Sequence, residues 1–290
     1  MKRSNWLSPV WLLLIAIVSL QFGAASAKSI FAELDPLAMA WLRMLISAPI
    51  LLVIARPRVR RRSRTQWRDV LCYGLILGVM NVAIYQAMAR IPIGIAVTIE
   101  FLGPLGIAFA SIRKLRDVVW VVFAGAGVVL LGWSPAESLD LVGVGYALLA
   151  ACCWAGYILI SVRVGKAWSG ISGVAVGSVV GVALFAAPGI AVAGEAMLNW
   201  HVIGVAAVVA VCSSAIPYAL EMIALRSLPP AVFGIMQSLE PAMAALMALL
   251  LLSEALTLTE WLAIACVVVA SVGATWSAEL KPPATDQPPD

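Results

Sequence analysis

The chain has 290 residues, 63% of them hydrophobic and 12% charged, with a mean hydropathy of +1.01 and a net charge of +4. Soluble globular domains run nearer 45 to 50% apolar and about 25% charged, so a water-soluble protein is excluded and a membrane protein is expected. A single histidine, His201, removes His-relay catalysis and His-rich metal sites from consideration.

Crossing the hydrocarbon core takes about 20 mostly apolar residues. Ten runs qualify, near 9–27, 36–55, 70–89, 93–112, 117–133, 141–161, 172–193, 202–224, 229–252 and 258–277. The connections are too short to hold a soluble domain. Only residues 279–290, with four prolines and mixed charge, read as a disordered cytoplasmic tail. Lys2 and Arg3, an apolar run and then Ala25-Ser26-Ala27 imitate a cleavable signal peptide. Nine further spans follow, however, and a first span commonly serves as an uncleaved anchor, so retention is expected.

Basic residues set orientation in a bilayer. With the N-terminus cytoplasmic, sixteen lysines and arginines fall inside, from Lys2 and Arg3 through seven arginines between Arg56 and Arg68 to Lys281. Only Lys28 and Arg90 fall outside, and Arg43 lies within a span. Both termini are therefore expected in the cytoplasm. The arginine-rich loop is expected to fix topology and to touch anionic lipid, with no nucleic-acid partner.

A shift of 137 residues superimposes Ile91-Pro92 on Leu228-Pro229 and Gly103-Pro104 on Glu240-Pro241. With four more residues allowed in the next loop, Trp120 falls on Trp261 and Gly132 on Gly273. The expected organisation is two five-helix repeats, residues 1–137 and 138–278. Five is odd, so the two would lie in the membrane with opposite orientation, which is a transporter's architecture.

Ionisable groups at membrane depth cost roughly 2.5 to 3.5 kcal/mol each and mark function by default. Arg43, Glu100, Glu221 and Glu240 stand out in the second, fourth, eighth and ninth spans. Glu254 and Glu260 sit near an interface and are expected to be solvated. Pro104 lies four residues after Glu100, and Pro241 directly follows Glu240 with Gln237 three residues earlier, so each proline is a candidate helix break exposing carbonyls. One arginine cannot neutralise three glutamates, which makes protons expected partners. Gln21, the Asn81/Tyr85 pair (i, i+4) and the Tyr218/Glu221 pair (i, i+3) are further candidates for one aqueous pathway. Gly74-x-x-x-Gly78 and Gly177-x-x-x-Gly181 predict close helix packing. Cys72, Cys152, Cys153, Cys212 and Cys266 all sit in apolar runs and are expected as small buried hydrophobes, with no disulfide, metal or cofactor.

With the segments Gly94–Gly106 (GIAVTIEFLGPLG), Cys152–Leu159 (CCWAGYIL), Pro217–Pro229 (PYALEMIALRSLP) and Ser238–Pro241 (SLEP), the chain resembles the drug/metabolite transporter superfamily. Within it the likeness is to the ten-helix EamA-type exporters of small amino acids, over about Trp11 to Trp276. The resemblance implies proton-driven export of amino acids such as threonine and homoserine from the cytoplasm across a bacterial-type inner membrane, and supports Glu100, Tyr218, Glu221 and Glu240 as site residues. Where the family carries Gly-Glu after the ninth span, this chain has Ser253-Glu254. Aromatic amino acids, cysteine-pathway metabolites and cationic compounds stay open as substrates. An intramembrane enzyme lacks its nucleophile, base or metal motif, and a channel would not show saturable, gradient-dependent flux.

Overall fold

The computed structural model describes residues 7–60, 62–110, 118–132, 140–225, 227, 228 and 230–279. Every regular element among them is helical, as the sequence leads one to expect. Lipid offers no hydrogen-bond partner, so each backbone N–H and C=O must be satisfied within its own segment.

The crossings follow in order. The first three are α1 (Leu7–Lys28), α2 (Pro36–Ala55) and α3 (Arg64–Met88). The fourth is divided into α4 (Ile93–Glu100) and α5 (Leu102–Ala110), and the fifth is α6 (Val118–Gly132). Then come α7 (Leu141–Ala167) and α8 (Ser172–Ala193). The eighth joins α9 (Trp200–Ala210) through a π-turn at Val211–Ala215 to α10 (Ile216–Leu225). The ninth is divided into α11 (Pro230–Gln237) and α12 (Glu240–Leu252), and the last is α13 (Leu258–Glu279). Among the described residues nine segments are long and apolar enough to cross a membrane, and the apolar stretch of α6 is shorter. The 15 residues of α6 span about 22 Å at 1.5 Å per residue, less than a core of about 30 Å; its expected flanks at 117 and 133 lie outside the described residues. Glu279, expected to open the tail, instead closes α13, and 280–290 are not described. Also outside the described residues are Pro229 and eight of the sixteen inside basic residues: Lys2, Arg3, Arg61, Arg113, Lys114, Arg116, Arg226 and Lys281.

Local chemistry starts the helices where the sequence allows. Asp35 accepts from Leu37 N at 2.7 Å ahead of Pro36, and Ser63 with Gln66 forms a capping box for α3. Lys28 meets Glu254, Arg90 lies 3.9 Å from Asp140 and His201 lies 3.3 Å from Glu33, all at one end of the bundle. At the other end Arg62 donates to the Ala167 carbonyl and stacks on Trp168 at 4.7 Å. Successive crossings alternate between these ends, so Leu7 and Glu279 share the Arg62 end.

Small residues let the helices approach. A Cβ on Gly74 would fall 2.5 Å from the Gly177 carbonyl oxygen, and one on Gly78 3.1 Å from Gly181 Cα, so the two glycine pairs pack on each other. Neighbour relations repeat when the first five crossings are exchanged for the last five. Thus α2 packs on α8, α4 on α12 and α6 on α13, while α3 against α7 is matched by α10 against α1. Ala25 and Ala27 are fully buried in the largest core cluster. The cysteines differ from expectation. Cys72 and Cys152 are exposed and the other three half-buried, because the outer face of a membrane bundle is itself apolar and solvated by lipid tails.

Candidate functional site

Both divided crossings bend at a proline. In the fourth, α4 stops at Glu100, Phe101 keeps near-helical angles (φ −65°, ψ −14°) and α5 starts at once. Pro104 has no N–H to offer the Glu100 carbonyl. In the ninth, Ser238 and Leu239 (φ −80°, ψ −10°) separate α11 from α12, and Pro241 withholds a donor from the Gln237 carbonyl. These are kinks, since the flanking angles stay helical. Gly103 allows the kinked segment to sit on α7, where an added Cβ would lie 2.1 Å from the Ala151 carbonyl oxygen.

Between the two kinks lies a cavity of about 560 Å³. Gln21 of α1, Arg43 of α2, and Asn81 and Tyr85 of α3 form one part of its wall. Glu100, Pro104, Tyr218, Glu221 and Glu240 form another. Eight candidate pathway residues and one of the two candidate helix breaks thus face a common space. Pro241 is buried beside Glu240 and is not part of the wall.

The polar groups are unevenly satisfied. Arg43 is held by two neutral oxygens: Nε donates to Ser214 Oγ at 3.3 Å and Nη1 to Tyr85 OH at 3.2 Å, with the guanidinium 5.5 Å from the Tyr85 ring centre. No carboxylate among the described residues forms an ion pair with it. Asn81 donates to the Leu77 carbonyl one turn back, at 2.7 Å. Gln237 lies beside Glu221, yet its Oε1, like that of Gln21, is buried with no hydrogen-bond partner among the described residues. Glu100 and Glu240 are 9% and 4% exposed. Among the described residues no three His, Cys, Asp or Glu side chains come together closely enough for a metal.

Several wall residues escaped sequence reasoning. Trp154, Tyr157 and Ser161 of α7 line the cavity at i, i+3 and i+7, and Phe101 meets Trp154 edge-on at 5.6 Å. Their helical spacing was the available signal, but mid-span aromatic and hydroxyl residues look the same when they only pack. Ser213 lines the cavity from the π-turn while Ser214 holds Arg43, and no sequence motif announces such a turn. Of the two glutamates expected to be solvated, Glu254 is partly exposed and Glu260 is buried. Glu254 pairs with Lys28, and Glu260, 3% exposed, accepts from Thr257 N at 2.7 Å in the first turn of α13.

The EamA-like transporter family matches the chain twice, over residues 7–134 and 141–276. The chain belongs to that family. Among relatives of this EamA-like transporter, the threonine/homoserine exporter RhtA of Salmonella typhimurium (strain SL1344) is 40% identical over 283 residues, covering 97% of this chain and 95% of that protein. The protein of the same name from Escherichia coli (strain K12) is 41% identical over 276 residues, 94% of this chain and 93% of its own length. A solved crystal structure 19% identical in sequence superimposes with a TM-score of 0.61 over 94% of this chain and 99% of that one, which shows a shared fold. The EamA-like chain is thus a multi-pass membrane protein of a transporter family.

Proposed function

We propose that this protein is a secondary exporter of small amino acids of the threonine and homoserine type, working by alternating access and coupled to the proton gradient. The observation that carries the reading is the cavity between the two kinked crossings, where one guanidinium and three carboxylates face a common space. A zwitterion fits such a wall: its carboxylate is drawn to Arg43, and its ammonium to a carboxylate such as Glu100. The names of relatives about 40% identical over nearly their whole length support the substrate class. Family membership likewise favours transport over catalysis.

The halves are taken as inverted repeats, residues 1–137 and 138–278, in keeping with the two family matches and the paired neighbour relations. The sixteen-to-two split of basic residues supports cytoplasmic termini in an inner membrane. Cavity glutamates that form no ion pair among the described residues supply proton carriers, and no metal or cofactor is invoked.

Labelled threonine and homoserine should accumulate in inside-out vesicles containing the protein, saturably and above vesicles lacking it. Absence of saturable uptake of both would remove the substrate assignment. Phe101, Trp154, Tyr157 and Phe233 on the wall favour a second reading, a bulkier amino acid; phenylalanine competing better than serine against labelled threonine would select it.

A further inference from the structure

The cavity is unevenly closed. Toward the ends of α1 and α3 and the start of α4, its wall residues Ala24, Tyr85, Met88 and Val97 are all buried. Toward the opposite end Ala108, Ser161, Phe233 and Thr275 are all partly exposed. The space is therefore sealed at one end and open at the other.

A small polar assembly sits at the sealed end. Lys28 Nζ lies 2.5 Å from Glu254 Oε1 and donates to the Ile91 carbonyl at 3.0 Å. The other carboxylate oxygen, Glu254 Oε2, accepts from Ile93 N at 3.0 Å, at the first residue of α4. One lysine and one glutamate thereby tie together the end of α1, the turn into α4 and the turn after α12. Ser253 takes left-handed angles (φ 56°, ψ 28°) directly before Glu254, which turns the chain back across the bundle. Lys28, Ile91 and Ile93 belong to the first five crossings and Glu254 to the last five, so the contact bridges the halves that must separate for the cavity to open there. Both side chains are 19% exposed. Water thus reaches the pair, and a solvated ion pair is more readily broken and remade than buried apolar packing.

We propose that the Lys28–Glu254 pair, with its hold on Ile91 and Ile93, is the gate at the sealed end of the transport cavity. It must open for substrate to leave on that side. The assignment rests on the transport reading, and with cytoplasmic termini it makes this the outer gate.

The test is thiol labelling, which needs no knowledge of the substrate. In full-length protein with its five cysteines replaced by alanine, Met88→Cys reports the sealed end and Ser161→Cys the open end, each probed with a membrane-impermeant maleimide from its own side. Lys28→Met and Glu254→Gln should each raise Met88→Cys labelling at least fivefold, with Ser161→Cys labelling unchanged and the double variant no further raised, as expected of two groups acting as one unit. Unchanged Met88→Cys labelling in both single variants would overturn the gate. So would an equal rise at both reporters, which signals general loosening. A gate response in a protein that fails to take up threonine or homoserine would sink the substrate reading alone.

Discussion

Glu100 and Gln237 stand in matching places, each four residues before a proline, Pro104 and Pro241, and each facing the same cavity. In both cases the proline removes the amide that would bond to the residue's own carbonyl. Two half-crossings thus each bring to one cavity a polar residue whose carbonyl has lost its helical donor. A sequence shift of 137 residues relates them, and the pairing of α4 with α12 brings their crossings together.

Restoring those donors should cost transport without costing stability. Pro104→Ala and Pro241→Ala each return an N–H to the helix, and each is expected to lower the initial rate of amino-acid uptake at least fivefold while leaving the thermal midpoint in detergent unchanged or higher. Rates equal to wild type in both would mean the freed carbonyls have no part in the cycle.

Arg43 is held in a two-armed grip, through Nε to Ser214 and Nη1 to Tyr85. A lysine keeps the charge and loses the fork. Arg43→Lys is expected to raise the KM for threonine about tenfold, equivalent to about 1.4 kcal/mol, with maximal rate much less affected. Concentration-dependent uptake separates these outcomes, and an unchanged KM would remove Arg43 from carboxylate recognition.

Packing makes its own prediction at two neighbouring glycines. A Cβ at Gly103 meets the Ala151 carbonyl oxygen at 2.1 Å, whereas one at Gly106 meets nothing within 4 Å. Gly103→Ala should destabilise by about 1 to 3 kcal/mol, as overpacking does, and Gly106→Ala should not. Thermal unfolding of the two variants side by side checks this; equal midpoints would contradict the close approach.

Ser253 takes a left-handed turn without being glycine. The left-handed turn is present at Ser253 (φ 56°), the position where glycine is usual in the family. Left-handed angles cost a residue with a Cβ about 1 to 2 kcal/mol, so Ser253→Gly should stabilise the protein slightly and leave uptake intact. A lower thermal midpoint would show that the serine hydroxyl contributes something the backbone does not.

Much of the fold was legible because hydrocarbon is a demanding solvent: apolar runs of spanning length had to be helices. The charged wall residues were legible for the same reason, since Arg43, Glu100, Glu221 and Glu240 are too costly in lipid to be placed idly. Trp154, Tyr157 and Ser161 were not, because such residues serve packing just as well. The hold of Ser214 on Arg43 depends on a π-turn that carries no pattern of its own. The pairing of Glu254 with Lys28 was not legible because the two lie 226 residues apart in the chain, and only the folded bundle brings them together.

Proton-coupled export through Glu100 is tested most directly by uptake of labelled threonine and homoserine into inside-out vesicles, with and without an imposed pH gradient, comparing wild type with Glu100→Gln. Wild type is expected to accumulate both amino acids in a gradient-dependent way, and a Glu100→Gln protein inserted in normal amounts is expected to lose that accumulation. Accumulation by Glu100→Gln with the same dependence on the gradient as wild type would contradict proton coupling through Glu100.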